Sequence, residues 1–314
     1  MTKKVGDKKD RKASEKDGIV YIPPFKTPDA RGVTFGGFSA ARHLMTNKHK
    51  MPLFGLTLPQ AMIAAADKGR GWHLATAFEW ASMAHQWKRA RSTDDLPIDL
   101  VAGSYQWIMG LFMRPDGSLD VLASTDASYE RSPYGRGTTK RTSPNTAAIV
   151  CDGKRWRPGE FDGMSVYIAE LGEAGQFFPI WSSKTNRIEF PTRDYLPPPR
   201  ATFCIVRHVD IDATKGVESG GYVSAIHASP DLAPFAIPSQ TATKPAAKWG
   251  ADRFYFYKHS NSVMAAFRGG PFSTTPARAG VFGLGVYNAP SSANDGIGFR
   301  ACKSLRSGFL ENCL

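Results

Sequence analysis

Residues 279–287 read Ala-Gly-Val-Phe-Gly-Leu-Gly-Val-Tyr, and after a polar loop residues 297–302 read Ile-Gly-Phe-Arg-Ala-Cys. The period of the first run is two. Phe282, Leu284 and Val286 share one face of an extended strand, while Gly283, Gly285 and Tyr287 share the other. One face is core material. The other carries two glycines, which weaken a strand and offer a neighbour nothing to pack against. The pattern predicts that Phe282, Leu284, Val286, Ile297 and Phe299 are buried. It also predicts that Gly283, Gly285 and Tyr287 face solvent, on a face not selected for stability.

Working back from that stretch, Phe254-Tyr255-Phe256-Tyr257 and Val263–Phe267 are two more strand-like runs, the second ending at Arg268-Gly269-Gly270. From about residue 98 onward, short apolar runs alternate with Gly, Pro, Ser and Asp. They are Tyr105–Met113, Leu119–Leu122, Ser165–Ile168, Phe177–Trp181 and Thr202–Val206. Asp116-Gly117 between the first two reads as a hairpin turn. Residues 191–200 and 228–248 are rich in Pro, Ala, Ser and Thr and read as irregular surface connections.

Helical period is confined to residues 51–90. Thr57-Leu58-Pro59-Gln60 has the form of a capping box with Pro in the first turn, leading into Ala61–Ala66 and a stop at Gly69. Thr76-Ala77-Phe78-Glu79 is a second capping box. The helix it opens carries Trp80, Met83, Ala84 and Trp87 on one face, a spacing that predicts core packing. Ile19–Ile22 is a short strand stopped by Pro23-Pro24. Two helices in the N-terminal half, then short strands and long irregular loops, predict an α+β class.

The chain has 314 residues, 42% hydrophobic and 22% charged, enough for a full core in one domain over 19–314. The net charge of +12 invites a polyanion reading until it is located. Residues 1–18 hold seven Lys or Arg against four acids, a net +3 on a segment with little to anchor it, so a flexible basic tail is expected. The other basic residues are scattered, with no basic helical face interleaved with aromatics, so nucleic acid is not the expected partner. No run approaches the roughly 18 apolar residues of a membrane span, and the first residues lack the apolar centre of a signal peptide. Cys151, Cys204, Cys302 and Cys313 form no CxxC pair, and the seven histidines show no ligand-like spacing. Neither a metal nor another cofactor is expected, and no Ser/His/Asp grouping is close enough to suggest a triad.

Three stretches in order carry a resemblance: IVYIPPF at Ile19–Phe25, GWHLATAFEW at Gly71–Trp80 and GSYQW at Gly103–Trp107. They resemble the "IP-x-F", "RLPT-x-x-EW" and "GNVWEW" motifs of the formylglycine-generating-enzyme branch of the C-type lectin fold. The segment from Arg268-Gly269-Gly270 through Gly280-Val281-Phe282 and Ala289-Pro290-Ser291 to Ile297–Cys302 is similar to the variable region of proteins diversified by diversity-generating retroelements. Together these stretches span residues 19–302. Residues 130–250 match neither pattern and would be an insertion. Ala75 stands where the helix motif has proline, and only Gly103 and Trp107 of the third motif are kept.

The resemblance implies a C-type lectin-like fold and a C-terminal surface, about 268–302, that changes through mutagenesis at template adenines. The exposed positions it implies are Pro271, Ser273, Thr274, Thr275, Arg278, Gly283, Gly285, Tyr287, Asn288, Ser292, Asn294, Asp295 and Gly296. None is Trp, Met, Lys, Glu or Gln, the five types that an adenine-mutated Asn codon does not reach. The implied function is non-enzymatic recognition of a protein or glycan on a cell surface, by a viral or microbial protein. Two alternatives come from other classes. A metal-dependent oxidase related to the formylglycine-generating enzymes would need a close cysteine pair, whereas Cys302 and Cys313 are eleven residues apart. A polyanion binder would rest on net charge alone. The calcium loop of sugar-binding lectins is absent, since Asn288-Ala289-Pro290 has no adjacent carboxylate.

Overall fold

The computed structural model describes residues 18–30, 32–89, 100, 104–192, 198–246, 248–249, 251–257, 260–270 and 280–305. The predicted flexible tail at 1–17, the candidate positions in 271–279 and Cys313 lie outside the described residues.

Both capping boxes form. Helix α1 (Leu58–Ala66) is capped by Thr57, whose Oγ1 accepts from Gln60 N while Gln60 Oε1 accepts from Thr57 N. Helix α2 (Ala77–Arg89) opens the same way, with Thr76 Oγ1 accepting from Glu79 N and Glu79 Oε2 accepting from Thr76 N. Each box satisfies donors the first helical turn would otherwise leave bare. Trp80, Met83 and Ala84 are buried as the stripe predicts, and Trp87 packs against the same core.

The rest is sheet. A four-stranded antiparallel sheet runs in the order Ile19–Ile22, Phe38–Ala41, Ala301–Ser304, Trp72–Leu74, so strands from the two ends of the described chain share one sheet. A thirteen-stranded sheet holds most of the remainder. Its Tyr105–Met113 strand is buried along nearly its whole length. It pairs with Leu119–Leu122 through the Asp116-Gly117 turn, with Met264–Gly269 antiparallel and with Ile297–Phe299 parallel. Gly117 takes φ +86°, and Asp116 Oδ1 accepts from Ser118 N, which closes that turn.

The α+β expectation is corrected. Among the described residues 42% are strand and only 9% helical, so the class is mostly β, not two helices with short strands and long irregular loops on a C-type lectin-like plan. The physical reason lies in residues 130–210. Tyr134–Ser143 (YGRGTTKRTS) is a ten-residue strand with no apolar alternation, exposed over its second half, so period-two reading passes over it. It pairs with Thr146–Val150 and with Arg200–Val209, and the latter pairs in turn with Leu119–Leu122. These residues therefore extend the same sheet. They bury a second core around Ile149, Trp156, Phe161, Phe190 and Phe203.

The surface-loop expectation for 228–248 is corrected as well. Leu232, Ala233, Phe235, Ala236 and Ile237 are buried, around a 3-10 turn at Ala233–Phe235, and Pro238–Ala242 pairs with Tyr222–Ile226. Small apolar residues next to prolines fill a tight space here.

Candidate functional site

The C-terminal segment is held by buried charge before it reaches the surface. Arg268 is fully buried and donates to the carbonyls of Phe282 (3.0 Å), Phe235 (2.6 Å) and Ala236 (3.1 Å). Asp252 accepts from Phe282 N at 3.1 Å, and burial raises its carboxyl to about 7. Trp80 Nε1 donates to Val281 O at 2.7 Å. Residues 281–283 are thus clamped from three sides as they lead into the Leu284–Asn288 strand.

That strand is interior, with Phe254–Phe256 parallel on one side and Met264–Gly269 antiparallel on the other. Phe282, Leu284, Val286, Ile297 and Phe299 are buried as the period predicts. Gly283 and Gly285 are not on the surface, and this corrects the outward-facing expectation. A Cβ at Gly285 would lie 2.2 Å from the Phe267 ring, and one at Gly283 would lie 3.2 Å from the Gly269 carbonyl. The glycines make a notch. Phe267 fills it and meets Tyr105, Trp107 and Tyr287 edge-on at 5.1, 5.8 and 4.9 Å. A period-two reading finds which residues alternate, yet it cannot tell an outer face from a second buried one.

The remaining candidates come together beyond the notch. Tyr287 is half-buried, with the rings of Tyr257 and Tyr255 at 5.5 and 6.2 Å. Burial, together with Tyr105, Tyr255 and Tyr257, raises its phenol to about 12, so it stays a hydrogen-bond donor at any physiological pH. Tyr257 is 62% exposed. The side-chain amide nitrogen of Asn288 is buried without a hydrogen-bond partner. Ser292 is half-buried, and Asn294, Asp295 and Gly296 are exposed.

The loop's backbone is pinned while most of its side chains are exposed. Pro290 O accepts from Leu58 N, Asn294 O from Gly55 N and Gly296 O from Tyr105 N, while Asn294 Oδ1 accepts from Gly296 N at 2.7 Å. Trp107, fully buried, donates from Nε1 to Leu56 O and steadies the facing loop. Tyr255 and Tyr257 were missed as site residues by the sequence reading. The signal was present in Phe254-Tyr255-Phe256-Tyr257, where the phenylalanines are buried and the tyrosines lie outward.

This surface offers aromatic faces, hydroxyls, amides and one carboxylate, which suits binding. Groups able to do chemistry are placed otherwise. Burial pushes the Cys151 and Cys204 thiols up to about 12, and burial beside the Glu79 carboxylate holds Cys302 well above the usual thiol range. His73 is buried, its Nδ1 on Gly71 O and its Nε2 on the Glu79 carboxylate at 2.9 Å. Both ring nitrogens are engaged within the core, away from the 287–296 surface. Among the described residues no group of three or more His, Cys, Asp or Glu is placed to hold a metal ion. Among them, too, no helix is long and apolar enough to cross a membrane. No family model matches the chain, and no curated protein matches it.

Proposed function

We propose that the face formed by Tyr255, Tyr257, Tyr287, Asn288 and the 289–296 loop is the ligand-binding surface of a non-enzymatic recognition protein. On this reading its variable positions are rewritten by retroelement-directed mutagenesis. The observation that carries the reading is the separation of backbone from side chain in the loop. Three main-chain hydrogen bonds to residues 55, 58 and 105 fix its path, while Ser291 and Asp295 are exposed and Asn294, also exposed, spends its side-chain oxygen only on Gly296 N within the loop. Such a loop accepts new side chains at little cost, because surface changes away from special features usually stay within about 0.5 kcal/mol.

The proximity of the quoted motifs supports the same reading. Ile19–Ile22, Trp72–Leu74 and Ala301–Ser304 share one sheet, and Ile297–Phe299 pairs with Tyr105–Trp107. The ligand class proposed is a protein or glycan displayed on a cell surface, with Tyr287 and Tyr257 as anchors of large contact area and few rotamers to freeze. Gly283 and Gly285 support the surface from beneath and are not contact residues.

The decisive experiment is sequencing the DNA beside the gene. The expected result is a reverse-transcriptase gene and a near-copy of the codons for 268–302 that differs mainly at adenines. Flanking DNA with no such copy overturns the retroelement reading. The surface reading then stands or falls on whether Tyr287→Ser and Asn294→Ala leave folding intact while changing what the protein binds.

A further inference from the structure

A cavity of about 460 Å³ opens between the end of α1, the turn leading into the Trp72–Leu74 strand, and the Tyr134–Ser143 and Thr146–Val150 strands. None of its lining residues belongs to the 281–296 segment. Four cations line it: Arg70, Arg136, Lys154 and Arg200. Arg136 is committed to Asp67 at 2.6 Å. Arg70, Lys154 and Arg200 have no ion-pair partner among the described residues, and Asp152 is the one lining carboxylate left to oppose them.

Lys154 is the unusual member. It is 5% exposed, and its Nζ donates only to the carbonyl and hydroxyl oxygens of Ser132, both uncharged. Burying an ammonium without a counter-ion is costly, and such groups are ordinarily paired. Burial lowers its pKa to about 7, with Cys151, Glu130 and Asp126 opposing the shift only in part. Arg70 lies over the Tyr129 ring at 4.8 Å and against Gly153, where a Cβ would meet the guanidinium at 2.5 Å. Gly135, at φ +148°, passes beside the Lys154 amine with no side chain of its own. Lys68 and Lys303, which do not line the cavity, stand 4.9 and 5.7 Å from the ring centre of its wall residue Trp72.

We propose that this cavity is a second binding site, for the phosphate group of a small ligand. The oxyanion would accept from Lys154 at the floor and from Arg70 and Arg200 at the rim, supplying the countercharge the buried lysine lacks. Arginine forks suit tetrahedral, multiply charged oxyanions, and an anion carrying two charges matches three unpaired cations better than a single carboxylate does. The volume fits a compact ligand of the size of a sugar phosphate. Trp72 and Tyr129 supply flat walls for its uncharged part.

The test is calorimetric titration of the full chain at pH 7 with inorganic phosphate, with glucose 6-phosphate and with acetate, all at matched ionic strength. The expected result is saturable binding of both phosphates and none of acetate. Arg70→Ala and Arg200→Ala, both exposed positions, should each weaken it at least tenfold, Lys154→Met should abolish it, and Asn294→Ala should leave it unchanged. Tighter binding of the ester identifies a phosphorylated small molecule, and equal binding identifies free phosphate. Either outcome supports the site. Absence of saturable phosphate binding overturns the proposal, as does binding that survives in both arginine variants. Those two variants keep the test decisive even if Lys154→Met fails to fold.

Discussion

The 289–296 loop and the floor of the basic cavity are both held by hydrogen bonds, yet they treat side chains in opposite ways. In the loop the bonds to the rest of the molecule run through the main chain, from residues 55, 58 and 105, and side chains such as Asp295 are left exposed. In the cavity the side chain is itself the held group: Lys154 at the floor reaches Ser132, and Arg70 at the rim lies against Gly153 and the Tyr129 ring. A surface of the first kind can change its chemistry without changing its shape. One of the second kind is specified residue by residue. The contrast teaches which of two sites in one molecule can vary and which must stay.

The comparison is tested hardest beneath the loop. Trp107→Ala removes a fully buried indole and the bond to Leu56 O, and should cost about 3–5 kcal/mol. Chemical denaturation reads this directly, and a variant as stable as the parent would show that the loop needs no such support.

Lys154→Met should abolish a pH dependence. The folded-state pKa lies near 7, below the usual 10.5, so between those values the unfolded chain binds the proton and the folded chain does not. Stability should therefore rise with pH across that window, by on the order of a few kcal/mol, and the Met variant should lack that rise. Denaturation midpoints at pH 7, 8 and 9 for both proteins check the sign.

Gly285→Ala should cost about 1–3 kcal/mol, because the added carbon must displace the Phe267 ring. A neutral result would mean that the notch is open after all. Asn294→Ala should cost about 0.5–1.5 kcal/mol through the lost bond to Gly296 N, and, smallest of all, Ser292→Ala and Asp295→Ala should each shift stability by under about 0.5 kcal/mol. A shift of several degrees in the melting temperature of either of the last two would place that side chain among the loop's supports.

What sequence could read here was local. Thr57 with Gln60, and Thr76 with Glu79, announce their helices because a capping box is complete within four residues. Tyr105–Met113 and Leu119–Leu122 are legible because a Gly-containing turn joins apolar runs. Tyr134–Ser143 is hidden because its pairing partners, not its own side chains, make it a strand. The face of Gly285 depends on Phe267, eighteen residues away in sequence and on the next strand. Of the candidate site, Tyr287 follows from the period-two alternation, while Ser292, Asn294 and Asp295 enter only through the resemblance to a retroelement variable region. The alternation in Phe254-Tyr255-Phe256-Tyr257 marks Tyr255 and Tyr257 as outward, but only the parallel pairing of Phe254–Phe256 with Leu284–Val286 brings them beside Tyr287.

The four-stranded sheet has a consequence for how the protein is made. Ala301–Ser304 lies between Phe38–Ala41 and Trp72–Leu74, so one of the two inner strands of that sheet leaves the ribosome after the other three strands. At roughly 5–20 residues per second, Phe38–Ala41 and Trp72–Leu74 wait on the order of ten seconds or more with the edges that will face it unpaired. Closure of the N-terminal layer thus reports that translation has reached residue 304 in frame. A frameshift or premature stop ahead of residue 301 would leave that layer open, and the faulty chain would be exposed to proteolysis.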